Sequence, residues 1–117
     1  MRYLFLHYTE LETVPESVDA DGGVSEDQRM LDTWLADVDA RGARQIGERL
    51  HGPEDATSVR KNSEKLLISD GPFTETKEWI AGFDLIECAD LDEAIAIAST
   101  HPTLVHGRIE IRPLWQN

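Results

Sequence analysis

The chain has one cysteine, Cys88, so no disulfide can form within it and the fold must be held by burial. Basic residues are also scarce. Eleven Lys and Arg face 23 Asp and Glu, a formal net charge of -12, which argues against nucleic acid or an anionic membrane as a partner. No apolar run is long enough to span a bilayer and no apolar signal segment follows Met1, so the expectation is a soluble cytoplasmic protein with no membrane partner. Zinc-type His and Cys spacing is missing, as is a glycine-rich phosphate loop after a strand; neither a metal nor a cofactor is implied. With 117 residues and no internal repeats, the chain reads as a single domain over 1–117, small enough that a partner subunit would help to stabilise it.

What is present divides into alternating apolar segments and turns. Tyr3-Leu4-Phe5-Leu6-His7-Tyr8 is apolar at nearly every position, the pattern of a central strand covered on both faces. The acidic stretch from Thr9 to Gly23 reads as a surface loop. Ser25 with Gln28 forms a capping box for a helix in which Met30, Leu31, Trp34, Leu35 and Val38 repeat at helical spacing, and Gly42 stops it. Arg44 to Leu50 suits an edge strand. Thr57–Arg60 and Leu66–Ile68 read as a hairpin appended to the sheet. From Trp79 to Cys88, Trp79, Ala81, Phe83 and Leu85 alternate with Ile80, Gly82, Asp84 and Ile86, again a strand covered on both faces. Asp90 with Glu93 caps a second helix with Leu91, Ala94, Ile95 and Ala98 as its buried stripe and Pro102 at its close. Arg108 to Arg112 supplies the last strand.

Between the hairpin and the Trp79 strand lies Asp70 to Glu78, DGPFTETKE, around which the chain is organised. Pro72 removes a backbone donor and breaks pairing, and the next five residues carry two hydroxyls, two carboxylates and an ammonium. This string, with Ala81-Gly82-Phe83-Asp84-Leu85-Ile86 and Ile109-Glu110-Ile111-Arg112-Pro113-Leu114, resembles the DGPF group of YCII-related proteins over nearly the whole chain. The resemblance implies a ferredoxin-like, dimeric α+β barrel, often encoded near extracytoplasmic-function sigma factors and without an established reaction. It further implies that some members carry a His-Asp pair near the chain start and first helix. Helix one here has no His, so that pair is not carried over. Position 84 usually holds an aromatic residue and position 7 an aliphatic one; both are departures.

The order β-α-β, hairpin, β-α-β folds most simply as an antiparallel sheet with two helices on one face. The doubly apolar central strands then require a second cover, and a homodimer through the sheet face provides it. For chemistry, Asp70 and Glu75 offer carboxylate bases and Lys77 a cation for an oxyanion, with Thr74, Thr76, Arg60 and Trp79 as candidate ligand contacts. The same loop also reads as a structural turn with Asp70 capping amides. His7 reads as a satisfied core residue, Asp84 as a carboxylate on the dimer-facing side lining the barrel cavity, and His51, His101 and His106 as solvated loop residues. The functional expectation is a small cofactor-independent isomerase, lyase or hydrolase acting on a small polar metabolite. The alternative is a non-catalytic ligand-binding or stress-response accessory module.

Overall fold

The computed structural model describes residues 1–10, 25–71 and 78–115. The candidates Thr74, Glu75, Thr76 and Lys77 lie outside the described residues; of the loop expected over Thr9 to Gly23, Thr9 and Glu10 instead end the first strand, and the remainder lies outside the described residues. Four strands form an antiparallel sheet: β1 (Arg2–Glu10), β2 (Arg44–Arg49), β5 (Glu78–Glu87) and β6 (Gly107–Pro113), in the order β2-β5-β1-β6. The two most apolar strands, β1 and β5, take the centre as their composition requires. Strands β3 (Thr57–Asn62) and β4 (Lys65–Asp70) make a separate two-stranded sheet, so the hairpin is not hydrogen-bonded into the main sheet. None of the described helices is long and apolar enough to cross a membrane.

Helix α1 (Glu26–Ala40) begins at Ser25, whose hydroxyl accepts from Gln28 N at 3.1 Å; such a cap contributes about 1 kcal/mol. It stops where Gly42 adopts φ +66, the left-handed conformation that glycine enters at least cost. Helix α2 (Leu91–Ala98) is capped by Asp90, which accepts from Glu93 N at 2.9 Å. Its buried stripe is Ala94, Ile97 and Ala98, while Leu91 and Ile95 stand about half exposed. The reading of those two as buried is corrected: Ala94, Ile97 and Ala98 follow an i, i+3, i+4 spacing that turns the larger pair away from the sheet. The stretch after Pro102 forms a short third helix, α3 (Thr103–His106).

Tyr3, Phe5 and Ile86 from the sheet pack with Trp34 and Val38 of α1 and Ala94, Ile97 and Ala98 of α2 in one core. Trp34 Nε1 donates to Ile97 O at 2.8 Å, tying the two helices together and satisfying a buried donor. The other side chains of β1 and β5, Leu4, Leu6, Phe83 and Leu85, are half-buried. Burial thus alternates along both strands, and the helices cover one face.

Two irregularities in register decide what that covered face displays. In β5 the pairing shifts between His7↔Gly82 and Tyr8↔Ile80, leaving Ala81 as an extra residue. Thr9 pairs with Trp79, so Trp79 joins the face of His7 and Asp84 instead of following Phe83 and Leu85, as simple alternation would place it. In β2 the shift between Arg44 and Ile46 leaves Gln45 extra, placing Arg44 and Gly47 on that same face. Bulges of this kind re-aim side chains beside sites.

Candidate functional site

At one end of the covered face the core changes from apolar to polar. His7 of β1 and Asp84 of β5 are 6% and 5% exposed, and His7 Nε2 lies 2.7 Å from Asp84 Oδ2. The other carboxylate oxygen accepts from Arg44 Nε at 2.8 Å. Arg44 also donates to Gly47 O at 2.9 Å, so the guanidinium is fixed by two acceptors. A buried carboxylate needs partners of this sort, because desolvation disfavours its charge unless donors replace the lost water. Asp84 therefore faces the helices; the expectation that it looks toward the dimer side is corrected, because its pairing with Phe5 and Gly47 sets its side.

The far side of the His7 ring is also occupied. Its Nδ1 lies 3.0 Å from Thr103 Oγ1. An ionised carboxylate only accepts, so Nε2 carries the proton and, in the neutral ring, Nδ1 accepts from the Thr103 hydroxyl. Thr103 N donates to His101 Nδ1 at 3.0 Å, which leaves Nε2 as the protonated nitrogen of neutral His101. The His101 ring lies 4.3 Å from that of His7 and meets Trp34 edge-on at 4.6 Å, centroid to centroid. Burial, reinforced by His7 nearby, lowers the His101 pKa to about 3. His101 is 8% exposed, so its reading as a solvated loop residue is corrected: the turn before α3 folds back beneath Trp34. His7, by contrast, is satisfied as expected, yet by partners that also make it reactive. His51 pairs with Asp55 on the surface, and His106 with Asp27 at 3.3 Å.

These groups line a cavity of about 320 Å³. Its apolar walls include Leu31, Trp34, Leu35 and Trp79, and its polar groups include His7, Arg44, Asp84, His101 and Thr103. Apolar walls with a few convergent polar groups are the usual make-up of a small-molecule site. Trp79 contributes its indole to this lining, and its Nε1, itself buried, has no hydrogen-bond partner among the described residues.

His7, Asp84 and His101 are also close enough to offer three ligand atoms to a metal ion. The hydrogen bonds do not fit that use. Thr103 N–H already occupies His101 Nδ1, whereas a ligating histidine donates from its second nitrogen. The Arg44 cation on Asp84 adds repulsion.

Of the residues singled out in the sequence, Trp79 lines this cavity. Asp70 ends β4 and Arg60 lies within β3, both exposed and on the hairpin sheet; neither is part of the cavity lining. Sequence reasoning passed over Thr103 and His101 because the α3 turn brings them in from a part of the chain read as a mere connection. The one available signal was the pair of polar residues, His7 and Asp84, each placed in an otherwise apolar central strand.

Comparison with known proteins agrees with this fold. The chain is 35% identical over 121 residues to an uncharacterized protein of Rhizobium meliloti (strain 1021), covering 97% of this chain and 92% of that one. Its fold is similar to that of 5-chloro-2-hydroxyhydroquinone dehydrochlorinase (TftG) from Burkholderia phenoliruptrix AC1100, solved in complex with 2,5-dihydroxybenzoquinone. The TM-score is 0.53, with 15% identity over 100% of this chain and 96% of that one; at that identity the likeness shows the α+β fold. The family model for the YCII-related domain matches residues 1–117, and the chain belongs to that family.

Proposed function

We infer that this protein is a small acid–base enzyme, an isomerase or lyase, acting on a hydroxylated cyclic metabolite. The observation that carries the reading is the buried His7–Asp84 pair, 2.7 Å apart, at the wall of the 320 Å³ cavity. A neutral imidazole backed by a carboxylate takes a proton readily, since the carboxylate stabilises the imidazolium that forms. Arg44 holds Asp84 from the opposite side and fixes its orientation. His101, kept neutral, offers Nε2–H to an oxygen on which charge develops. The walls of Trp34 and Trp79 suit a flat ring, and the hydroxylated quinone held by the structurally similar TftG supports that class of ligand.

The apolar walls support a second reading, a non-catalytic binding module in which Thr103 and His101 only anchor a hydroxyl. The two are separated by incubating the protein with hydroxyhydroquinone and its chlorinated analogues and following the compounds by NMR. Conversion that is lost in His7→Ala is the expected result. Tight binding with the compound recovered unchanged would replace the enzyme with the binding module. The half-buried face of Leu4, Leu6, Phe83 and Leu85 supports a homodimer through the sheet. Thr74, Glu75, Thr76 and Lys77, which precede Trp79 in the sequence, are further proposed contributors of ligand contacts.

A further inference from the structure

The His7 ring has no free nitrogen. Nε2 is held by Asp84 and Nδ1 by Thr103, at 2.7 and 3.0 Å, and the ring is 6% exposed. A substrate in the cavity therefore meets His7 through whatever occupies Nδ1. That group is the Thr103 hydroxyl, which is half-buried and itself lines the cavity. Thr103 is well fixed for such a task. It is the first residue of α3, directly after Pro102, and its backbone N–H is bound to His101 Nδ1. A β-branched side chain has few rotamers. When the hydroxyl donates to Nδ1, its lone pairs remain available to a second donor.

We propose that Thr103 is a proton relay, so that the group deprotonated in this cavity is an ionisable O–H, an enol or a phenol, and not a C–H. The inference rests on the acid–base reading of His7 and Asp84. In the step, the substrate O–H bond breaks and its proton forms a new O–H bond on Thr103. The original Thr103 proton moves to His7 Nδ1, and the electron pair stays on the substrate oxygen as an oxyanion. The imidazolium produced faces Asp84, and the oxyanion or a neighbouring ring oxygen meets the Nε2–H of His101, which lines the same cavity. Relay through a hydroxyl suits transfer between oxygen and nitrogen, where hydrogen bonds are already formed along the path. Carbon acids form no such bond to Thr103. The balance needs no oxidant, reductant or co-reactant.

The test uses 4-nitrophenol, whose absorbance reports its own ionisation. Bound to the unaltered protein, it should ionise at lower pH than when free, and Thr103→Ser should keep that shift. Thr103→Val, which retains the shape but not the hydroxyl, should lower the bound ionisation constant by on the order of tenfold, the factor that goes with one pKa unit. Thermal melts of both variants verify the fold; a purely structural Thr103 would move the melting temperature and leave the ionisation midpoint in place. If Thr103→Val ionises the phenol as well as the unaltered protein while His7→Ala does not, the relay is wrong and the acid–base reading stands. If His7→Ala also leaves ionisation unchanged, or the phenol does not bind, both fall.

Discussion

Gly47 packs directly against Asp84: a Cβ built on residue 47 would overlap Asp84 Oδ1 and crowd the Arg44 guanidinium. The ion pair thus occupies the volume that any other side chain would need. It sits there because the bulge at Gln45 brings Arg44 and Gly47 onto one face of an edge strand. The absence of a side chain at 47 is therefore part of how the carboxylate is held beside His7.

Gly47→Ala should consequently displace Asp84, Arg44 or the strand itself. Overpacking of this kind costs about 1–3 kcal/mol, read as a fall in the urea midpoint. The same variant should lose activity or ligand affinity more than stability alone explains, because the His7–Asp84 contact depends on the carboxylate's position. Unchanged stability would mean that β2, at the sheet edge, simply moves outward.

Breaking the Arg44–Asp84 pair from either end should not be symmetric. Asp84→Ala leaves a partly buried guanidinium and an unsatisfied His7 Nε2–H, and removal of one partner from a buried pair costs about 3 kcal/mol. Arg44→Met should cost less, since the Arg44 side chain is 25% exposed and its departure leaves Asp84 still bound to His7. A double-mutant cycle by chemical denaturation measures the coupling; additive losses would show that the pair contributes no interaction energy.

The central strands, both helix caps and the Gly42 stop were legible because each rests on local chemistry: runs of apolar residues, a hydroxyl or carboxylate three residues before its amide, a glycine in a left-handed turn. The site was legible only in fragments. His7 and Asp84 stood out as polar residues in apolar strands, but their meeting depends on 77 residues of separation being closed by β1–β5 pairing. Trp79 was placed on the wrong face because a bulge at Ala81 reverses the alternation, and one inserted residue leaves no trace in a period-two pattern. Thr103 was missed, and His101 just before it read as solvated, because a four-residue helix has too few residues to show a periodicity.

Stability should fall in acid partly through His101. Its folded pKa, lowered to about 3 by burial and His7, lies below the unfolded value of 6.5. The unfolded chain therefore binds a proton that the folded chain refuses. The resulting stability is fully present above 6.5 and is lost as the pH falls through that value toward 3. In His101→Asn, which keeps an acceptor for Thr103 N–H without titrating, the urea midpoint should fall less steeply across that window. An identical slope in both proteins would show that His101 protonates without cost.

Trp79→Phe separates binding from stability. The indole N–H is a buried donor without a partner among the described residues, and such a group carries a desolvation penalty of about 1–3 kcal/mol. Its removal gives that penalty back and offsets the smaller apolar area of the phenyl ring, so the melting temperature should change little. Affinity for a flat ring such as 2,5-dihydroxybenzoquinone should fall by roughly fivefold, in line with the loss of about 1 kcal/mol of apolar contact when the indole wall shrinks to a phenyl. Titration calorimetry on both proteins reads this directly. Equal affinities would place the ligand away from Trp79 and remove that residue from the recognition set.

The sheet face opposite the helices supplies the last expectation. Leu4, Leu6, Phe83 and Leu85 lie on neighbouring central strands in register, Leu4 opposite Leu85 and Leu6 opposite Phe83, and all four are half-buried in the single chain. A contiguous apolar patch at the middle of a sheet is costly to leave wet, at about 25 cal/mol per Å², and a second copy presents the same patch through a two-fold axis. Light scattering should report twice the chain mass at micromolar concentration, and Leu6→Glu, which places a charge at the centre of the patch, should shift the protein to a monomer with the helices still formed. A single-chain mass for the unaltered protein would show that half-burial of these four side chains is all the cover the face requires.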